Sequence, residues 1–499
     1  MDPMIEKFNL AALYPEILLV VMTIAIAMID LFVKSPRRTL TYALSLLTMA
    51  VVAVLQAHDA MSGTTVYSFG NMVVSDPMGN WLKCFSTLAV FVTLVYGRPY
   101  AADRDMLKYG GELFTLGLFA LLGMYVMISG NNFLVLYLGV ELLALSSYAL
   151  VALRRDSTTA SEAAMKYFVL GALGSGFLLY GMSMIYGGTG SLDITTVFKA
   201  GASGQINHKV LILGLVFLVC GLGFKFGVVP FHMWVPDVYQ GAPTVVTLMI
   251  GGAHKLAAFA MTMRLLVEGL MPLAIDWQQM LMVLSVASLL IGNLAGIAQT
   301  NMKRMIAFST ISQMGFVLIG LYSGVVNGDT AAAANAYSSA MFYVVTYVLT
   351  TLAVFGIIML LAREGFESEE IADFSGLNQR SPLYAGVMAL CMFSLAGIPP
   401  MVGFAGKLSV LQALVASGQP GAIALATYAV LMSLLAAFYY LRVVKVMYFD
   451  APLTASTVSA GADVRMVLLV NSGLLLVLGL LPGGLMTLCA NAVISTLGS

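Results

Sequence analysis

Apolar residues along this 499-residue chain fall into long runs divided by short polar punctuation. Each run is about 20 residues, the length a helix needs to cross a bilayer. Fourteen can be read, near 10–33, 38–56, 77–97, 111–128, 132–153, 161–187, 209–235, 243–267, 277–299, 305–324, 333–362, 382–417, 422–448 and 466–495. The seventh holds Pro230 and the twelfth holds Pro399 and Pro400. Proline removes a backbone donor and clashes with the preceding turn, so it breaks a helix. The twelfth run is also too long for one straight crossing, which predicts two half-helices with a loop between them.

Pro230 and Pro399 lie 169 residues apart, and Leu256-Ala257-Ala258-Phe259 recurs as Leu435-Ala436-Ala437-Phe438 at an offset of 179. Together these support a unit of five spans, the fourth to eighth, repeated as the ninth to thirteenth. An odd number of spans per unit turns the second copy upside down, the inverted-topology arrangement of secondary transporters. The pattern predicts an all-α polytopic membrane protein of about fourteen transmembrane helices. It has two inverted five-helix repeats, each containing a proline-broken helix. Its divisions are 1–110 (three N-terminal helices), 111–268 (first repeat), 269–450 (second repeat) and 451–499 (last helix).

Composition agrees with this reading. The chain is 60% hydrophobic and 10% charged, with a mean hydropathy of +0.93, whereas soluble domains carry about 25% charged residues. The 24 basic and 24 acidic residues balance, which argues against nucleic acid as a partner. Cys84, Cys220, Cys391 and Cys489 are far apart and form no CxxC, so they read as small packing residues and signal no metal or iron–sulfur site. The opening Met-Asp-Pro-Met-Ile-Glu lacks the basic segment of a cleavable signal, so the first run is expected to stay in place.

Basic residues set the expected orientation. Connections after odd-numbered spans hold fifteen of them, Lys34, Arg37, Arg38, Arg98, Arg104, Lys108, Arg154, Arg155, Lys303, Arg304, Arg363, Arg380, Arg442, Lys445 and Arg465. The other side holds five, Lys7, Lys83, Lys199, Lys209 and Arg264. The richer side is expected to be cytoplasmic, with both termini outward. The acidic connection from Arg363 to Arg380 reads as a solvated surface cap.

Four lysines fall inside spans: Lys166, Lys225, Lys255 and Lys407. A lysine at the centre of a span costs about 2.5–3.5 kcal/mol by insertion scales, and such groups usually mark ion pathways. Lys225 stands five residues before Pro230, and Lys407 follows the second break. Glu141 in the fifth span is a candidate partner for Lys225 between helices. Glu162 and Lys166 are four apart on one helix face and can pair there. His254, next to Lys255, points about 100° away around the helix and reads as a packing histidine rather than a relay member. His232 and Asp237 read as residues that fix the end of the broken span. Glu16 and Asp30 have no visible partner. The bland alternative for the whole set is structural ion pairs holding a bundle together.

The run Gly-Leu-Gly-Phe-Lys-Phe-Gly-Val-Val-Pro-Phe-His-Met-Trp-Val-Pro-Asp-Val-Tyr-Gln-Gly-Ala-Pro (221–243) resembles the signature of the antiporter-like membrane subunits of respiratory complex I, the NADH–quinone oxidoreductase. So do Leu-Gly-Val-Glu-Leu (138–142) and Ser-Leu-Ala-Gly-Ile-Pro-Pro (394–400). Gly-Phe-Ala-Gly-Lys (403–407) is similar to the N-type branch, because M-type relatives typically place a glutamate in that span. The resemblance covers essentially the whole chain. It implies proton translocation coupled to quinone reduction, with Glu141 and Lys225 as a charge-modulating pair and Lys255 as the central relay. Lys407 would be the exit-side proton site, with Glu162 and Lys166 on the connecting side. It implies no redox cofactor in this chain, the FMN, iron–sulfur clusters and quinone belonging to partner subunits. The implied partners are an M-type neighbour, small K- and J-type subunits and, through them, the hydrophilic arm. The implied setting is the lipid bilayer of a bacterial inner membrane. A cation/proton antiporter subunit of the same superfamily is the alternative.

Overall fold

Three helices lead the fold, α1 (Tyr14–Asp30), α2 (Thr39–Ser62) and α3 (Pro77–Ala102), with an antiparallel hairpin of β1 (Val66–Ser68) and β2 (Val73–Ser75) between the last two. The structure is a computed structural model that describes residues 8–324, 330–362, 366–453, 458 and 460–497. Lys7 and Arg363, both counted for orientation, lie outside these. Next come α4 (Glu112–Ser129), α5 (Phe133–Val151), α6 (Thr158–Thr189), α7 (Ile194–Ala202), α8 (His208–Phe226), α9 (Trp234–Gly241), α10 (Thr244–Gly251) and α11 (Ala253–Thr262). A second set follows: α12 (Ala274–Ile297), α13 (Met302–Tyr322), α14 (Thr330–Leu361), α15 (Leu377–Arg380), α16 (Pro382–Ala396), α17 (Val402–Ala416) and α18 (Ala422–Phe449). Then come α19 (Ala462–Leu480) and α20 (Gly483–Leu497). The two sets share an order of elements: a packed hairpin, a 32-residue helix, then a broken helix.

Among the described residues, twelve helices are long and apolar enough to cross a membrane. The difference from the fourteen runs has physical reasons. Helix α1 has only 17 residues, and the twelfth run divides into α16 and α17 of 15 residues each. The run 466–495 is divided too, at Leu481-Pro482 between α19 and α20.

Polar caps set where helices begin. The Asp76 carboxylate accepts from the Gly79 N–H at 3.1 Å, Ser157 from Ala160 at 3.2 Å and Asn301 from Arg304 at 3.0 Å, each satisfying a donor that the first turn leaves free. The segment Thr244–Gly269 and helix α13 are enclosed by protein on all sides, whereas α18 and α19 are mostly uncovered. A helix apolar all round and enclosed is an inner helix of the bundle, and Lys255 rides on one of these.

Ion pairs join the N-terminal helices to the rest. The Lys83 ammonium sits 2.6 Å from Glu16. Arg264 bonds the N-cap carboxylate of Asp76, Glu268 at 2.7 Å and the Ile128 carbonyl at 3.2 Å. Asp30 accepts from the Gly111 N–H at 2.7 Å and from the Thr41 hydroxyl. Lys83 and Arg264, expected in outward-facing connections, are therefore buried, each only 1% exposed, because carboxylates from other runs neutralise them. Glu16 and Asp30 have found partners. The acidic connection expected as a solvated cap is also ion-paired. Glu367 meets Arg104 at 3.0 Å and Arg154 at 2.7 Å, and Glu369 meets Lys303 at 3.0 Å.

Removing one member of a buried pair leaves an uncompensated charge and costs about 3–5 kcal/mol. Lys83→Met is expected to lower the melting temperature of the purified protein. Adding Glu16→Gln is expected to recover much of the loss, because the stranded carboxylate is gone. Scanning fluorimetry on both variants checks this.

Candidate functional site

Helix α8 stops at Phe226 inside the bundle. Gly227 follows at φ 72°, a left-handed conformation that glycine adopts without a Cβ penalty. Its N–H bonds the carbonyls of Gly223 and Phe224, and the Val228 N–H also bonds Gly223. This closure satisfies two carbonyls of the last turn. The next two, on Lys225 and Phe226, have no backbone donor. The Lys255 ammonium supplies one, donating to them at 3.2 and 2.9 Å. A cation there also meets the negative end of the helix dipole.

The second break repeats this arrangement 170 residues later. Gly397 lies at φ 83°, its N–H bonds Phe393 and Ser394, and the Ile398 N–H bonds Phe393. The remaining carbonyls, Leu395 and Ala396, accept from the Lys407 ammonium at 2.9 and 3.2 Å. Both lysines also lie over an aromatic face, Lys255 over Trp234 at 5.5 Å and Lys407 over Phe316 at 5.3 Å. Pro230 is matched by Pro400 rather than Pro399, since each follows a cis peptide bond at the same distance from its glycine. The twin lysines stand on different elements. Lys255 comes from α11, beyond the break, and Lys407 from α17, the second half of the broken helix itself.

Lys225, His254 and Lys255 line one cavity with Tyr167 and Trp234. His254, expected to point elsewhere, thus faces the same space, and its buried Nε2 has no hydrogen-bond partner. Glu141 on α5 is half-buried, with one carboxylate oxygen enclosed and unbonded. Among the described residues no ion pair joins it to Lys225, although the two charges lie near enough to interact through space. Glu162 and Lys166 do pair, at 2.9 Å, but both are exposed and apart from this cavity. Lys166 also holds Asp237 at 2.8 Å, and Arg304 holds the same carboxylate at 2.8 Å. Burial alone would raise the Asp237 carboxyl, but its bonds to Lys166 and Arg304 hold it below the usual range.

The cavity beside Lys407 is lined instead by Gln313, Tyr343, Tyr347, Thr350 and Ser394. The Tyr343 hydroxyl donates to Gln313, whose amide donates to Tyr440 at 3.1 Å and to the Leu395 carbonyl at 3.1 Å. Ser309 meets Tyr440, and Thr310 meets Tyr347 at 2.8 Å. The charge pattern of the sequence does not mark the Ser309–Gln313 stretch. The available signal was four polar residues, Ser309, Thr310, Ser312 and Gln313, within one apolar run.

Two inner helices broken mid-span, each closed by a buried lysine, define an ion-translocating membrane subunit of the antiporter type. Residues 130–433 match the family described as NADH:quinone oxidoreductase/Mrp antiporter, TM. NADH-quinone oxidoreductase subunit N of Polaromonas naphthalenivorans is 69% identical over 99% of this chain and all of that one. The subunit N of Herminiimonas arsenicoxydans is 62% identical over the same shares. Among solved structures, a chain of respiratory complex I from Thermus thermophilus superposes with a TM-score of 0.79 at 29% identity, covering 95% of this chain and 99% of that one. A chain of the Mrp complex from Dietzia superposes with a TM-score of 0.85 at 21% identity, over 98% and 97%, a likeness of fold. The chain belongs to the NADH-quinone oxidoreductase subunit N family.

A Cβ at Gly227 would lie 2.5 Å from Val235 and would sit at positive φ, whereas one at Gly176 would meet nothing within 4 Å. A left-handed residue other than glycine costs roughly 1–2 kcal/mol before any clash. Gly227→Ala is therefore expected to lower thermal stability by several degrees and to impair proton transport. Gly176→Ala should leave both unchanged. Melting curves and transport assays on the two variants compare them directly.

Proposed function

We infer that this chain carries protons across a bacterial inner membrane as the N-type subunit of an NADH–quinone oxidoreductase, through a relay built on Glu141, Lys225, Lys255 and Lys407. The observation that carries the relay is the pair of lysines, each bonded to the last two free carbonyls of a truncated helix. Two opposed influences act on such an ammonium. Burial disfavours its charge, and the helix end with its two carbonyls favours it. A small displacement of the lysine from the carbonyls tips that balance, and lysine changes its protonation readily when buried. Breakage of the helix is thus linked to proton holding.

Lys225 shares a cavity with Lys255 and feels Glu141 through space, so Glu141 biases the first lysine and the first biases the second. The hydroxyl and amide network around Gln313 offers Lys407 partners that accept and pass protons without changing charge. His254 lies beside the first two lysines and can bridge them. Glu162 and Lys166 serve at the surface, where Lys166, paired with Glu162, also bonds Asp237 and so holds α9, the helix after the first break.

Lys255 is taken as the centre of the route, with Lys407 towards the outside, both termini outward and the basic connections cytoplasmic. The five-helix units 111–268 and 269–450 are the two half-channels, preceded by 1–110 and followed by 451–499. The flavin, iron–sulfur clusters and quinone belong to other subunits, and the membrane neighbours are of the M, K and J types. The Mrp likeness keeps a cation/proton antiporter in view, but the two subunit N relatives at 69% and 62% identity favour the redox-driven enzyme.

The test measures NADH-driven proton uptake by inverted membrane vesicles, normalised to assembled complex. Lys255→Met and Lys407→Met keep the volume, remove the charge and are expected to lower uptake on the order of tenfold or more. Lys407→Arg is expected to fail as well, because a guanidinium holds its proton to a pH above about 12. Full uptake by assembled Lys255→Met and Lys407→Met enzymes would make these groups structural.

A further inference from the structure

Protons reaching Lys255 from the basic end of the bundle must pass the strap that carries Glu367 and Glu369. A surface cleft there is lined by Tyr100, Arg154, Lys303, Glu367, Glu369 and Asp373. Tyr100 stands at its inner edge. Its hydroxyl donates to Glu367 Oε2 at 3.0 Å and accepts from the Thr244 N–H at 3.2 Å. Thr244 is fully buried, and its own hydroxyl lies within hydrogen-bonding reach of the Tyr100 oxygen.

From Thr244 the polar positions continue inward along the enclosed span. Thr247 and Gly251 follow at steps of three and four residues on one face of α10, and Lys255 lies just beyond the break at Gly252, in α11. Thr247 donates to the Tyr239 carbonyl at 3.0 Å. Gly251 has no side chain to offer, and the Tyr239 hydroxyl fills that step, 3.0 Å from where a Cβ would be. This hydroxyl is fully buried and lies within hydrogen-bonding reach of Thr310. Buried hydroxyls that bond their neighbours form networks that polarise one another, and Tyr100, Thr244 and Tyr239 supply three of them between the cleft and the span of Lys255.

We propose that Glu367 collects protons from the aqueous cleft and passes them through the Tyr100 hydroxyl to the line Thr244, Thr247 and Tyr239 and on to Lys255, an entry route that presupposes the lysine relay above. Arg104 and Arg154 keep Glu367 in place, and their charges together with the Tyr100 bond hold its carboxyl below its ordinary value despite the opposing effect of burial. It is therefore ionised near neutrality and holds an incoming proton only briefly before passing it on. The transfer balances at every step. Glu367 takes a proton from the aqueous cleft, the Tyr100 hydroxyl turns its own proton from Glu367 to the Thr244 hydroxyl, and the Tyr100 oxygen receives the proton of Glu367 in its place. Each later hydroxyl, or the water bridging to it, likewise accepts one proton and gives up another. The last proton converts the neutral amine of Lys255 to ammonium, which the carbonyls of Lys225 and Phe226 then hold, and Glu367 returns to carboxylate.

The experiment uses the intact complex in inverted vesicles and follows NADH-driven proton uptake. Glu367→Ala and Tyr100→Phe are expected to slow uptake several-fold, and Glu367→Asp to retain most of it. Millimolar formate, a small acid that fits the cleft, should restore uptake to Glu367→Ala. A strap with a purely structural role would not respond to formate, so lack of rescue overturns the proposal. So does normal uptake by Glu367→Ala and Tyr100→Phe where Lys255→Met is impaired. Normal uptake by Lys255→Met would instead bring down the relay itself.

Discussion

A helix that ends inside an apolar layer leaves carbonyl groups with nothing to bond, and each costs several kcal/mol in hydrocarbon. The two breaks in this bundle meet that requirement in the same way. A left-handed glycine closes two carbonyls by backbone bonds, and a lysine ammonium closes the other two. Most other features of the core follow from it. The ammonium must be shielded from lipid, so the helices around it are enclosed. A buried charge also needs polar company, so its cavity keeps polar neighbours.

The two halves solve the second requirement with different chemistry. Around Lys255 the neighbours are ionisable or aromatic, with Lys225, His254 and Trp234 close by. Around Lys407 they are neutral, with Gln313 at the centre of the tyrosine and serine hydroxyls. Like charges gathered near Lys255 repel one another, so protonation at one site is felt at the next. Amide and hydroxyl groups near Lys407 add no such repulsion.

Much of this could be read along the chain. Glycine, proline and lysine at the breaks announce themselves because each is costly in an apolar run, and the helices follow from run length. What the runs could not reveal was pairing between them. Lys83 and Arg264 looked like loop charges because Glu16 and Asp76 stand far away in sequence. The destination of the Lys255 ammonium, two carbonyls some thirty residues back, is a backbone partner and has no side-chain signature. The one-residue shift from Pro399 to Pro400 has a similar origin, since the register depends on which glycine turns left-handed. The Ser309–Gln313 stretch was passed over because charge, rather than hydrogen-bonding capacity, was used to pick out chemistry.

The origin of the capping lysine differs between the breaks, and this difference gives the bundle a direction. Lys407 and the carbonyls it closes belong to one broken helix, tied by the short loop Gly397–Met401, so tilting that helix moves donor and acceptor together. Lys255 belongs to a separate span from Lys225 and Phe226. Sliding that span against its neighbour parts the contact without disturbing either helix internally. A sideways displacement of that span would therefore open the first contact and leave the second shut. Of two look-alike latches, only one can yield without bending its own helix.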